Sequence, residues 1–287
     1  MNEQLPGQDL AGEIWFITGA SAGFGRALAL EVLARGGRLV ATARDPAALE
    51  CLVAEAPERV VAARLDVTSR EQIEAAKAAA DARFGAVDVL VNNAGIGYLA
   101  AIEEGSDAEV RRLFDANVFG LAAVTRAFLP SMRARRCGTI VNISSIVGFR
   151  ANAGVGYYAA SKWAVEALSE ALSKEIAPFG LKVLIVEPGP FRTDFAGRSL
   201  LRPAHTIDEY EAVVAIRAAS QRGHAKQSGD PVRAASLIVD AVHAPEPQLR
   251  LILGASGYAS VIGSVERRLQ GLRQSEELAP LADFPAD

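Results

Sequence analysis

The stretch EIWFITGASAGFGRALALEVLARGG, Glu13 to Gly37, decides the fold. Its first six residues are a short apolar run of the kind that forms a strand buried on both faces. TGASAGFG, Thr18 to Gly25, follows at once, and a helical pattern begins at Arg26. Glycines in such a turn let the backbone approach a phosphate closely, and free N–H groups at a helix start supply partial positive charge. A nucleotide cradle is one reading of this turn. The other is an ordinary strand-to-helix connection whose glycines serve packing alone.

The same alternation runs on along the chain. RLVATA (Arg38 to Ala43), VVAARLDV (Val60 to Val67), VDVLVN (Val87 to Asn92), GTIVNIS (Gly138 to Ser144) and LKVLIVE (Leu181 to Glu187) read as further buried parallel strands, with LRLILG (Leu249 to Gly254) as a seventh at the edge. Helical patterns lie between them. One of these, REQIEAAKAAADARFG, follows the candidate caps Thr68 and Ser69 and ends at Gly85. Strict alternation predicts an α/β fold: a doubly wound parallel sheet of the Rossmann type, about seven strands with helices on both faces, in a single domain over residues 1–287. Residues 194–230 leave the carboxyl edge of that sheet, which predicts a substrate lid. Residues from about 258 to 287 read as a helix and a frayed tail.

Composition narrows the function classes. Thirty Lys and Arg against 34 Asp and Glu give a formal charge of −4, so no basic footprint for nucleic acid is present. Cys51 and Cys137 are isolated, and His205, His224 and His243 have no metal-ligand spacing, so no metal site is expected. No apolar run approaches the ~18 residues of a membrane span, and the opening MNEQLPGQDLAGE has no apolar stretch. A soluble cytoplasmic protein is the expectation.

Chemistry enters with YYAASKWAVEALSEALSKEI, where Tyr158 precedes Lys162 by four residues and follows Ser145 by thirteen. On a helix, positions i and i+4 share a face about 5 to 6 Å apart, so Lys162 is placed to stabilise a Tyr158 phenolate. A free phenol titrates near roughly 10, and a fixed cation lowers that value toward the range useful for proton exchange with an alcohol or carbonyl. Tyr157 by the same count reaches only Ser161. Judged alone, the pair reads first as an amphipathic helix that happens to carry Tyr and Lys.

Together with the glycine turn, NNAG (Asn92 to Gly95), Asn117 in DANVFG, the Ser145, Tyr158 and Lys162 set and PGPFRT (Pro188 to Thr193), the chain resembles the short-chain dehydrogenase/reductase family in its shorter branch. The likeness runs from Glu13 to about Thr193. ATARD and VEPGPFRTDF look like the subgroup related to 17β-hydroxysteroid and retinol dehydrogenases. The resemblance implies an oxidoreductase that interconverts an alcohol and a ketone or aldehyde by hydride transfer. Tyr158 would be its acid/base, Lys162 would tune the phenol and hold the nicotinamide ribose, and Ser145 would donate to the substrate oxygen. Asn117 would position a water that links Lys162 to solvent. Ser144 is read as structural.

Cofactor contacts implied by the same likeness are Gly19, Ser21, Gly23, Phe24 and Gly25 in the first turn, Asp66 and Val67 at the adenine, and Asn93, Ala94 and Gly95 after the fourth strand. Pro188, Gly189 and Thr193 would hold the carboxamide, with Tyr158 and Lys162 at the ribose. Asp66 and Thr193 also read as caps, and Asn92 and Asn93 as turn formers. Cofactor choice depends on charge after the second strand, in ATARDPAAL. Arg44 is placed to meet a 2′-phosphate, with Ser21 beside it. Asp45 is either a ribose-diol ligand or, ahead of Pro46, a helix cap. NADP(H) is the preferred cofactor and NAD(H) stays possible.

Phe191, Phe195, Leu200 and Leu201, with Phe149, offer apolar surface for a lipophilic small-molecule substrate, or else pack the lid onto the body. Apolar excess in FGLAAVTRAFLPSM and in the Tyr158 helix reads either as ordinary helix-to-sheet packing or, as the resemblance implies, as helices paired across a two-fold axis in a homodimer or homotetramer. A non-catalytic NADP(H)-sensing protein would keep the glycine turn and Arg44 but need no acid/base. A nucleotide-sugar epimerase or dehydratase would use a different glycine spacing and usually a longer C-terminal domain.

Overall fold

The computed structural model describes residues 8–193, 195, 197, 199–222 and 226–284. In chain order its strands are β1 (Ile14–Ile17), β2 (Arg38–Ala43), β3 (Val60–Arg64), β4 (Val89–Asn92), β5 (Gly97–Tyr98), β6 (Thr139–Ile143), β7 (Lys182–Pro188), β8 (Leu200–Leu201) and β9 (Arg250–Leu253). Seven of them build one sheet in the order β3-β2-β1-β4-β6-β7-β9, every pair parallel, while β5 and β8 pair separately. All seven sequence-read strands are therefore present in one Rossmann-type sheet.

Helices cover both faces: α1 (Gly23–Ala34), α2 (Glu50–Glu55), α3 (Arg70–Phe84), α4 (Asp107–Phe114), α5 (Leu121–Arg135), α6 (Gly156–Ile176), α7 (Glu211–Arg222), α8 (Pro231–Val242) and α9 (Ala255–Arg273). Side chains of a strand alternate between faces, and β1 supplies both cores. Trp15 and Ile17 enter a cluster with Leu28 and Val32 of α1 and Ile238 of α8, whereas Ile14 and Phe16 meet Ile73 of α3 and Phe128 of α5. Burial on two sides is why these strands read as unbroken apolar runs.

Several boundaries differ from the sequence reading. β3 stops at Arg64, which leaves Asp66 and Val67 in the following loop. Ser69, rather than Thr68, caps α3: its Oγ accepts from Gln72 N at 3.3 Å, while the Thr68 hydroxyl donates to Asp66 at 2.7 Å. Residues 194–230, expected as a lid, contain β8 and α7, although residues 194, 196, 198 and 223–225, including His224, lie outside the described residues. At the other end, α9 begins three residues before 258, and residues 285–287 are also outside them.

Strand order reverses direction at β1, whose neighbours are β2 on one side and β4 on the other. In open α/β sheets a ligand crevice forms beyond the carboxyl ends of the strands at this switch point. The glycine turn leaves β1 there and NNAG leaves β4 there.

Candidate active site

The glycine turn is held by hydrogen bonds to the loop after β4. Thr18 Oγ1 accepts from both Asn93 N and Ala94 N at 2.9 Å, and Asn93 Nδ2 donates to Thr18 O at 2.8 Å and Gly19 O at 3.1 Å. Gly19 takes a φ of +68°, open to glycine at no steric cost. At Gly25 a Cβ would fall 2.4 Å from both Gly19 O and Asn93 Nδ2, so only glycine allows α1 to start this close to the turn. Its N-cap, Ala22, has no side chain to cap the helix, and the first turn carries no acid. Free N–H groups at this end thus face the crevice with a partial positive charge.

A cleft of about 460 Å³ runs from this turn to Tyr158. Along it lie Gly19, Ser21, Gly23, Phe24, Arg44, Asp66, Val67, Asn93, Ala94 and Gly95, then Ser145, Tyr158 and Lys162, with Pro188, Gly189 and Thr193 opposite. Two expected residues are not on its wall. Gly25 is buried behind the turn, where it sets the close approach just described. Asn117 sits in a π-helical turn, Asp115–Gly120, between α4 and α5. Its Oδ1 accepts from Ile96 N and its Nδ2 donates to Ile96 O, both at 2.8 Å, and also to Ser161 Oγ at 3.1 Å. The amide fastens the wall of the cleft to α6.

Asn92 points away into the core, donating to Thr125 Oγ1 and Asn142 Oδ1 at 2.9 Å. Asp45 Oδ1 accepts from Ala47 N at 3.1 Å and caps the short turn that begins at Pro46. Asp66 Oδ1 accepts from Thr68 N at 3.0 Å, an Asx turn on the cleft wall. Thr193 Oγ1 accepts from Phe195 N at 3.4 Å. Cap-like and cleft-lining positions coincide for the last two residues.

At the far end, α6 presents Tyr158 and Lys162 on one face, with Lys162 Nζ 5.9 Å from the centroid of the Tyr158 ring. Lys162 is buried and donates to Ile143 O at 2.8 Å. Burial pushes its ammonium down to about 8, with the Glu166 charge opposing. The sequence expectation that Lys162 depresses the phenol is not met. Burial pushes Tyr158 above its ordinary value, and the opposing influence is a hydrogen bond with Ser145. The reason is physical: Lys162 shares the same desolvated interior and spends a proton on a carbonyl.

Several wall residues had no local sequence signal. Ala43 and Leu65 follow from the rule that ligands meet strand ends, but Ile96, Ala116 and Gln227 arrive through tertiary packing. Of the apolar residues expected to offer substrate surface, Phe191 and Phe195 line the cleft; Phe24 packs at a tilt against Phe191, with centroids 4.9 Å apart, and Tyr158 likewise against Phe195 at 5.6 Å. Leu200 and Leu201 instead pair with β5, and Phe149 lies under the Arg250 guanidinium at 5.8 Å. Among the described residues no cluster of three His, Cys, Asp or Glu is placed to hold a metal, and no helix is long and apolar enough to cross a membrane.

Comparison with known proteins agrees with this architecture. The family model described as short chain dehydrogenase matches residues 13–202. The oxidoreductase BOA17 of Botryotinia fuckeliana is 39% identical over 84% of this chain and 89% of its own length. Retinol dehydrogenase 8 of Bos taurus is 40% identical over 64% of this chain and 61% of its own. A short-chain dehydrogenase from Streptomyces avermitilis superposes with a TM-score of 0.88 at 43% identity, covering 94% of this chain and all of that one. A Burkholderia phymatum short-chain dehydrogenase/reductase in complex with NAD gives 0.80 at 27% identity, over 98% and 99% of the two chains. The alcohol dehydrogenase of Thermococcus sibiricus, complexed with 5-hydroxy-NADP, gives 0.69 at 29% identity, over 84% and 95%. With this sheet order, this cleft and these relatives, the chain belongs to the short-chain dehydrogenase/reductase family and is an oxidoreductase.

Proposed function

We propose that the chain transfers hydride between NADP(H) and a lipophilic alcohol–carbonyl pair, with Tyr158 as acid/base. The observation that carries this reading is the convergence of Tyr158, Ser145 and Lys162 at one end of a cleft whose other end is an uncapped helix N-terminus. The residues suit a nicotinamide dinucleotide, since the glycine turn and free N–H groups match a pyrophosphate. When bound, the nicotinamide supplies or accepts the hydride.

Tyr158, kept protonated by burial, donates its proton to a carbonyl oxygen, and Ser145 stabilises the charge that develops there. Lys162 holds the ribose and provides the positive charge behind the phenol. Asn117 acts as a positioning residue through Ile96 and Ser161. NADP(H) is favoured because Arg44 lines the cleft with an exposed side chain while the Asp45 carboxylate is drawn to Ala47 N. NAD(H) is the weaker substrate of the two. Phe195, packed at a tilt against Tyr158, supports an apolar substrate beside the phenol. Phe119 and Leu168, 63% and 44% exposed in the π turn before α5 and on α6, support a homodimer or homotetramer.

A panel of lipophilic ketones and aldehydes tests the reading, with oxidation of NADPH and NADH followed by absorbance. Turnover with NADPH on at least one compound is expected. Tight NADPH binding with no turnover in either direction would indicate a nucleotide-sensing protein instead.

A further inference from the structure

Behind the cleft, two buried carboxyl groups face each other. Glu187 stands next to the last residue of β7 and is 0% exposed; Glu166 lies one helical turn after Lys162 in α6 and is 7% exposed. Arg250, at the start of β9, places Nε 3.3 Å from Glu166 Oε2 and 3.5 Å from Glu187 Oε1. Its Nη2 turns outward to Glu170 at 3.0 Å. If both carboxyls are ionised the pair has no donor, and Glu166 Oε1 and both Glu187 oxygens are buried without a hydrogen-bond partner. One proton shared by the pair would remove the repulsion and supply the missing donor between two carboxyls that both lie within 3.5 Å of Arg250 Nε.

The surroundings decide which acid keeps the proton. Glu187 has Glu166 and the Arg250 cation as its charged neighbours, and burial together with the Glu166 charge pushes it up to about 8. Glu166 is also raised by burial, but it accepts from Arg250 Nε and has the charge of Lys162 nearby. The charged and titratable groups around the pair are thus Lys162 and Glu170 from α6, Arg250 from β9 and, one turn before Lys162, Tyr158. Glu170 is satisfied outward by Lys174 at 3.0 Å and by Arg250.

We propose that Glu166 and Glu187 are positioning residues acting through Lys162: Glu187 keeps a proton and donates it to Glu166, and the single negative charge on Glu166 holds Lys162 as an ammonium behind Tyr158. The inference deepens the proposed function and rests on its reading of Lys162 as the cation of the site.

The chain has five lysines, so NMR of the full-length protein with carbon-13 at lysine Cε, assigned with Lys162→Arg, reads the Lys162 charge directly. Glu166→Gln should lower the Lys162 titration by about one pH unit, a tenfold change in the ammonium-to-amine ratio. Glu187→Gln, which keeps the donor and removes no charge, should leave it within about 0.3 unit. The alkaline limb of carbonyl reduction should move to lower pH in Glu166→Gln alone, because an ammonium that loses its anion gives up its proton sooner. An unmoved Lys162 in Glu166→Gln, or an equal shift in both variants, overturns the proposal. If Glu166→Gln does not fold, infrared spectroscopy decides: a protonated buried carboxyl is expected at neutral pH in the wild type and not in Glu187→Gln, and its absence from the wild type overturns the proposal. A protein that shows these shifts yet reduces no carbonyl contradicts the function proposed above and not this inference.

Discussion

Arg44 and Asp45 stand side by side after β2, and their local bonding separates a candidate phosphate ligand from a helix cap. Asp45 is committed to Ala47 N, whereas Arg44 is exposed on the cleft wall and has Asp66 within electrostatic reach. Arg44→Ala should therefore weaken NADPH binding by about 1.5 to 3 kcal/mol, the scale of a charge-assisted hydrogen bond, with little effect on NADH. Titration of both cofactors checks this, and an unchanged ratio of the two affinities would remove Arg44 as the selector. The capping of Asp45 was legible from Asp-Pro ahead of an apolar run. The state of Tyr158 was not, because spacing gives proximity to Lys162 but not the shared desolvation that raises the phenol and lowers the ammonium.

At the scale of elements, strands were the easiest to read, since a strand buried on both faces has an unbroken apolar sequence. Their ends were less so: VVAARLDV reads to Val67, yet β3 stops at Arg64 because Asp66 folds into an Asx turn with Thr68. The π turn around Asn117 had no signature of its own, its geometry being fixed by the pairing of the Asn117 amide with Ile96. Another long-range tie joins β1 to α8. His243 Nε2 meets Glu13 at 3.1 Å, Trp15 Nε1 donates to the same carboxylate at 3.0 Å, and His243 Nδ1 lies 2.8 Å from Val239 O. The hydrogen bond to Glu13 raises the His243 imidazole above its ordinary value. For a raised histidine the stabilisation is complete below its unfolded value of about 6.5 and is lost as pH rises through the folded one. His243→Gln should cost at most about 1 kcal/mol in the acid range, with the difference shrinking above neutrality. Denaturant melts at two pH values measure it, and a cost that grows with pH would contradict the assignment.

Across the whole molecule, the segment after Thr193, proposed as the substrate lid, is fastened to the body at several points. Glu104, in the loop after β5, accepts from Ala101 N at 2.6 Å and Ile207 N at 2.8 Å and pairs with Arg217 of α7. The β5–β8 ladder adds a second attachment. Residues 194–230 were legible as a segment beyond the strand ends but not as a strand and a helix, since these form against the body rather than from local pattern. Arg217→Met should raise the KM for the carbonyl by about tenfold, near 1.4 kcal/mol, while the NADPH affinity stays unchanged. An unaltered KM would detach the latch from substrate binding. The central claim is that Tyr158 supplies the proton, and it is tested most directly by the kcat of NADPH-dependent carbonyl reduction in wild type and Tyr158→Phe, with the Kd for NADPH measured in parallel. A fall in kcat of about 10² to 10⁴ with the Kd preserved is predicted, the range for loss of a general acid; kcat surviving intact would contradict the account.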